Sequence, residues 1–167
     1  MGKVQILAVL TMDGCLSSEL YDKAHQDLCL DRCGLDEIRK NALYRVTPDY
    51  SISMLHEWRK DGTNIRYLAE ATPDTADYIN GLLRMHAVDE IILYTVPFIS
   101  GSGRHFFKSA LPEQHWTLSS LKSYPNGVCR IIYILDKKQD SQNVRQAYIS
   151  IFRNRINVPI TNNLSRR

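Results

Sequence analysis

Residues 88–107 read VDEIILYTVPFISGSGRHFF. Two acids, Asp89 and Glu90, stand before an apolar run, Pro97 stops it, and Gly101-Ser102-Gly103-Arg104 follows. The apolar run IILYTVPFI (91–99) reads as a core strand. A carboxylate at its entrance suits a helix-to-strand junction, where free backbone N–H groups need acceptors. Gly101 and Gly103 permit positive φ and a sharp exit. Gly-Ser-Gly beside Arg104 reads either as a plain turn or as an anion-accepting nest.

The flanks supply the rest of an α/β layer. Upstream, Thr72-Pro73-Asp74-Thr75 reads as a helix start, with a threonine cap, proline in the first turn and acids at the positive end. That helix runs to Arg84 with Ile79, Leu82 and Leu83 inward. NIRYLAEA (64–71) is a strand before it, and KVQILAVL (3–10) is a buried first strand closed by Thr11-Met12-Asp13-Gly14. Ser17-Ser18-Glu19 opens a helix with Leu20, Ala24 and Leu28, stopped at Gly34, and 35–43 forms a second short helix. Residues 47–60 alternate like a strand in YSISML, yet Thr47-Pro48 and the Ile52, Leu55, Trp58 or Arg59 spacing favour a helix. Downstream, strands at 116–124 and 128–135 flank Pro125-Asn126-Gly127, a hairpin signal. Ser141 caps a last amphipathic helix carrying Val144, Tyr148, Ile151 and Phe152. The fold class is therefore α/β: a mixed, mostly parallel sheet of about five strands with a C-terminal antiparallel hairpin and helices on both faces. Residues 1–136 form one domain, and 137–167 a basic helix and tail.

Composition narrows the function. The chain has 167 residues, 44% hydrophobic and 23% charged, which suits one domain with a real core. No stretch spans a membrane and the N-terminus lacks a cleavage signal, so a cytoplasmic protein is expected. Net charge is +3. From Lys137 onward seven basic residues face one acid, so residues 1–136 carry −3. No aromatic-and-basic module points to nucleic acid. The five histidines have no zinc spacing, and no metal is expected. Cys29 and Cys33, four apart, read as two buried thiols or as a redox pair.

LLRMHAVDEIILYTVPFISGSGRHFF resembles the C-terminal signature of the dihydrofolate reductase-like superfamily, above all the reductase domain of the bacterial riboflavin-biosynthesis deaminase–reductase. Leu82, Leu83, Val88, Asp89, Glu90, Pro97, Gly101, Gly103 and Phe107 carry the likeness. VQILAVLTMDGCLS resembles the family's first strand and its Ser-Leu-Asp-Gly loop. The resemblance implies an NADPH-dependent reductase of a small pterin or aminopyrimidine substrate, and a homodimer. It implies nicotinamide contacts from Ala8, Val9, Leu16 and Ser17, and phosphate contacts from Thr72, Asp74 and Thr75. Asp13, Gly101, Ser102 and Gly103 would order the loop or touch substrate.

Two features depart from the family. The pyrophosphate-binding Gly-Gly falls on Asp74-Thr75 in one register and on Ala71-Thr72 in the other, so neither has a glycine. Pro73 also removes a donor. Glu70, Asp74 and Asp77 crowd the same place. A carboxylate about 6 Å from a phosphate charge costs roughly 1–3 kcal/mol at effective dielectrics of 20–50. A helix end offsets about 0.3–1 kcal/mol. Repulsion therefore wins unless a lysine or metal intervenes. Second, about 50 residues between Gly14 and Ile65 replace a strand-rich lobe. The alternative reading is a reductase-like fold that has lost conventional NADPH binding and serves as a binding or interaction protein.

Overall fold

The computed structural model describes residues 2–16, 28–61, 64–108 and 110–136. Eight strands occur among them: β1 (Lys3–Leu10), β2 (Cys15–Leu16), β3 (Tyr44–Arg45), β4 (Arg66–Ala71), β5 (Glu90–Thr95), β6 (Arg104–His105), β7 (Trp116–Ser123) and β8 (Cys129–Leu135). The helices are α1 (Leu35–Asn41), α2 (Ile52–Asp61) and α3 (Ala76–Arg84), with a 3-10 turn at Leu30–Cys33. The main sheet has the order β3-β4-β1-β5-β8-β7, and β2 pairs with β6 in a separate ribbon. β3, β4, β1 and β5 are parallel, and β8 and β7 close the sheet antiparallel.

β1 lies in the middle, and its residues from Val4 to Leu10 are all buried. Alternation along the strand sends them to two cores. Val4, Ile6, Ala8 and Leu10 meet Leu55 of α2 and Ile79, Leu82 and Leu83 of α3. Leu7 and Val9 meet Leu30, Leu35, Ile92, Tyr94 and Val128. The helices therefore cover both faces. Each fully buried Leu or Ile side chain contributes about 1.5–3 kcal/mol, so the register of β1 is fixed from both sides.

The acids at the entrance of β5 have a structural task. Asp89 accepts the Val4 N–H at 2.9 Å, and Arg59 Nη2 lies 2.7 Å from both carboxylate oxygens. Asp89 N–H in turn donates to Val4 O, and Gly2 N–H donates to Arg59 O. This buried pair ties α2, β1 and β5 together at one end of the sheet.

Several expected boundaries move. The sheet has six strands because Tyr44–Arg45 adds a two-residue edge that its length hides. α1 stops at Asn41 rather than 43. Residues 47–60 do become helix, but from Ile52, where the Ser51 hydroxyl takes the Met54 N–H at 3.2 Å; Thr47 and Pro48 lie outside it. α3 begins at Ala76 rather than Thr72, because Thr72 to Thr75 form a self-bonded turn. β5 ends at Thr95, short of 99. The buried ring after the Gly-Ser-Gly turn is Phe106; Phe107 is half exposed. Cys33 is buried, whereas Cys29 is exposed, with a left-handed φ of 49°, so the two do not share a helix face. None of the four cysteines is in a disulfide. The helix expected from Ser17, its residue Ser17, the helix capped by Ser141 and the basic tail fall outside the described residues.

The hairpin closes onto the exit of β5. Gly127 has φ 82°, and a Cβ there would sit 3.0 Å from Pro97 Cγ. Only glycine meets both demands. Tyr94 and Tyr124 both donate to Cys33 O, at 3.1 and 2.6 Å, and pin the 3-10 turn to this corner. Burial pushes the Tyr94 hydroxyl up to about 12.

Candidate functional site

In open α/β sheets ligands bind outside the carboxyl ends of the parallel strands. Here β1, β4 and β5 deliver three loops to that edge, residues 11–14, 72–75 and 96–103. Asp13 joins the first to the third. Its Oδ1 accepts the Ser100 N–H at 3.2 Å and its Oδ2 the Gly101 N–H at 3.0 Å. Met12 N–H donates to Phe98 O at 2.8 Å beside them. The Thr11 hydroxyl, with the two loop N–H groups, lowers the Asp13 pKa from 3.8 to about 2. Asp13 is thus an ionised loop anchor. Gly101 (φ 65°) permits this arrangement. Gly103 does so by proximity as well: a Cβ there would lie 3.3 Å from both Cys15 Cβ and Leu16 O. Ser102 is exposed, and its carbonyl accepts the Ser100 hydroxyl.

Cys15, on β2, sits under this loop. Its Sγ is 3.7 Å from Asp13 Oδ2 and 3.8 Å from His105 Nδ1. Burial, and then the Asp13 charge, push the thiol up from 9.0. It is therefore a protonated packing group at neutral pH. Among the described residues no set of three or more His, Cys, Asp or Glu is placed to hold a metal ion.

The β4–α3 turn is internally satisfied. Thr72 N–H donates to Thr75 Oγ1 at 2.9 Å, Thr75 N–H donates to Thr72 Oγ1 at 3.3 Å, and Thr75 Oγ1 donates to Glu70 O at 2.7 Å. Asp74 is exposed on the turn. Ala8 and Leu16 belong to the α3-side core and Val9 to the opposite one. The structure thus gathers Asp13, Gly101, Ser102 and Gly103 at one loop junction and Thr72, Asp74 and Thr75 at a second turn. Ala8, Val9 and Leu16 are enclosed in the sheet core beneath.

Cations intervene at two of the three acids expected to repel a phosphate here, Glu70 and Asp77, while Asp74 stands exposed on the turn. Arg39 of α1 forks onto Glu70 at 2.9 and 3.1 Å. Arg104 and Lys108 both bond Asp77, and Arg104 Nη1 donates to Pro73 O at 2.6 Å. Lys108, then Arg104, hold the Asp77 carboxyl below its usual range. These partners come from 27 to 31 residues away, so a count of charges along 70–77 misses them. Asn80 was also invisible to apolar periodicity. It is fully buried, donates to Ala76 O and Phe106 O at 2.7 and 2.9 Å, and accepts the Lys108 N–H at 3.2 Å.

No protein-family model matches the sequence, and no curated protein matches it either. Solved structures do resemble it. One is a riboflavin biosynthesis protein from Shewanella sp. PV-4, at a TM-score of 0.54 and 12% identity, covering 81% of this chain and 99% of that one. Another is RibD from Acinetobacter baumannii, at a TM-score of 0.52 and 12% identity, covering 82% of this chain and 59% of that one. The chain therefore shares the α/β fold of these riboflavin-biosynthesis proteins, the fold the resemblance implied. It spans little more than half the length of RibD.

Proposed function

We propose that the chain is an NADPH-dependent reductase of a flat nitrogen heterocycle, of the pterin or aminopyrimidine class. The observation that carries this reading is the joining of the loops after β1 and β5 by Asp13, next to a turn where Arg39 offsets Glu70 and Arg104 and Lys108 offset Asp77. The residues fit a dinucleotide through side-chain cations beside the turn, where the Thr72 and Thr75 N–H groups are themselves engaged. The coenzyme would supply a hydride. The chain's part is to hold the reacting rings in line and keep water out. Asp13 keeps the loop closed, and the exposed Met12, Phe98 and Ile99 offer apolar surface for a ring.

A second reading is a binding protein on the same fold, favoured by the missing glycines and by Pro73. On either reading we propose a cytoplasmic homodimer, with the apolar surface of β7 and β8 (Leu118, Leu121 and Ile134) covered by a second copy. No helix among the described residues is long and apolar enough to cross a membrane. Thermal melting with millimolar NADPH, NADH and FMN separates the readings. Saturable stabilisation by NADPH supports the reductase. No shift with any of the three removes it and leaves the binding protein. Sedimentation as a monomer at high concentration would remove the dimer.

A further inference from the structure

We propose that Arg104 and Lys108 are the phosphate anchor of this site, and that Asp77 occupies the anchor until a diphosphate or phosphate ester displaces it. The inference rests on the reading that a phosphorylated ligand sits at the carboxyl ends of the strands, and it names the groups that hold it.

The first argument is one of donors. An anion at the β4–α3 turn needs N–H partners. Thr72 and Thr75 have spent theirs on each other's hydroxyls, and Pro73 has none. Side chains near the turn can supply the donors that these three positions do not. Arg104 and Lys108 are the cations that reach the first turn of α3, both through Asp77.

The second argument is placement. Each residue has a second tie besides Asp77. Arg104 is fixed over the turn by Pro73 O. Lys108 is held by its own N–H on Asn80 Oδ1, and Asn80 is fully buried between α3 and the Phe106 carbonyl. The buried amide thus holds the Lys108 backbone beside α3.

The third argument is charge. Two cations share the Asp77 carboxylate, so these three side chains carry a net +1, with the exposed Asp74 on the turn beside them. The Asp77 side chain is 65% exposed, and exposed pairs of this kind are weak and screened. A diphosphate brings more charge and more acceptor oxygens than one carboxylate, and Arg in particular matches phosphate in a two-pronged geometry. Asp77 is therefore a displaceable internal stand-in rather than a lock.

Isothermal titration with inorganic pyrophosphate at low salt tests the anchor, with melting curves confirming that each variant folds. Asp77→Asn frees both cations and tightens pyrophosphate about tenfold, the scale of one removed charge at contact distance in a solvated site. Arg104→Met and Lys108→Met each weaken it about tenfold. Lys60→Met, an exposed cation elsewhere on α2, leaves it unchanged. Unchanged or weaker binding in Asp77→Asn overturns the proposal. So does an equal loss in Lys60→Met, which would mark diffuse charge attraction. The anchor and the reductase reading fail separately. Pyrophosphate held by Arg104 and Lys108 without any response to NADPH keeps the anchor and removes the reductase. NADPH binding indifferent to Arg104→Met and Lys108→Met keeps the reductase and removes the anchor.

Discussion

The Asp89–Arg59 pair offers the sharpest test of how the fold is held. The two side chains are 7% and 9% exposed, and the contact distance is 2.7 Å. Asp89 also carries the Val4 N–H at 2.9 Å. Removing one member of such a pair strands a buried charge and costs about 3–5 kcal/mol. For a chain of this size each kcal/mol moves Tm by about 2–4 °C, so Arg59→Met lowers Tm by roughly 6–20 °C. Asp89→Asn keeps an acceptor for Val4 but leaves Arg59 charged and unpaired, and falls in the same range. The double variant Arg59→Met with Asp89→Asn has no buried charge and still satisfies Val4. It costs less than either single change, about 2 kcal/mol or below. Urea unfolding of the four proteins measures the cycle. Strictly additive losses, or single variants within about 0.5 kcal/mol of the parent, would refute the claim that this pair is a coupled, desolvated tie.

Two further outcomes follow from the site. Carbon-detected NMR titration of the Asp13 carboxyl gives a midpoint near 2 in the folded protein, because the Thr11 hydroxyl and the Ser100 and Gly101 N–H groups favour its charged form. A folded-state pKa below the unfolded 3.8 means its stabilisation is complete above 3.8 and is lost as pH falls through about 2; a midpoint at 3.8 would show that it does not hold the loop. Iodoacetamide at pH 8 labels exposed Cys29 before Cys15, which is 3% exposed with a raised thiol pKa. Mass spectrometry showing Cys15 labelled first would contradict the packing around it.

The sequence shows the fold far better than the site, and particular residues show why. KVQILAVL and EIILYT announce themselves because burial on both faces demands unbroken apolar runs. Pro125-Asn126-Gly127 announces the hairpin because the turn needs a positive φ at Gly127, observed at 82°. Tyr44–Arg45 stayed hidden since two residues hold no period. Thr72-Pro73-Asp74-Thr75 carries a helix-start signature, but its two hydroxyls bond each other and delay the helix to Ala76. Polar residues that organise the sheet and the site were the hardest to read. Arg59 occupies an inward position of an amphipathic helix, a hint that its charge meets a buried partner. Asn80 is the fully buried polar group among apolar Ile79, Leu82 and Leu83, which an apolar count passes over. The balance of charge at Glu70 and Asp77 depends on Arg39, Arg104 and Lys108, which only folding brings near.

The central claim is that the carboxyl ends of β1, β4 and β5 form a site for a reduced pyridine dinucleotide. Amide NMR spectra recorded during an NADPH titration test it most directly. The account predicts saturable shifts at Gly14, Thr72, Thr75, Gly101 and Lys108 with the rest of the sheet unmoved. Shifts confined instead to the apolar groove between Phe107, Trp116 and Tyr133, or none at saturating coenzyme, would contradict it.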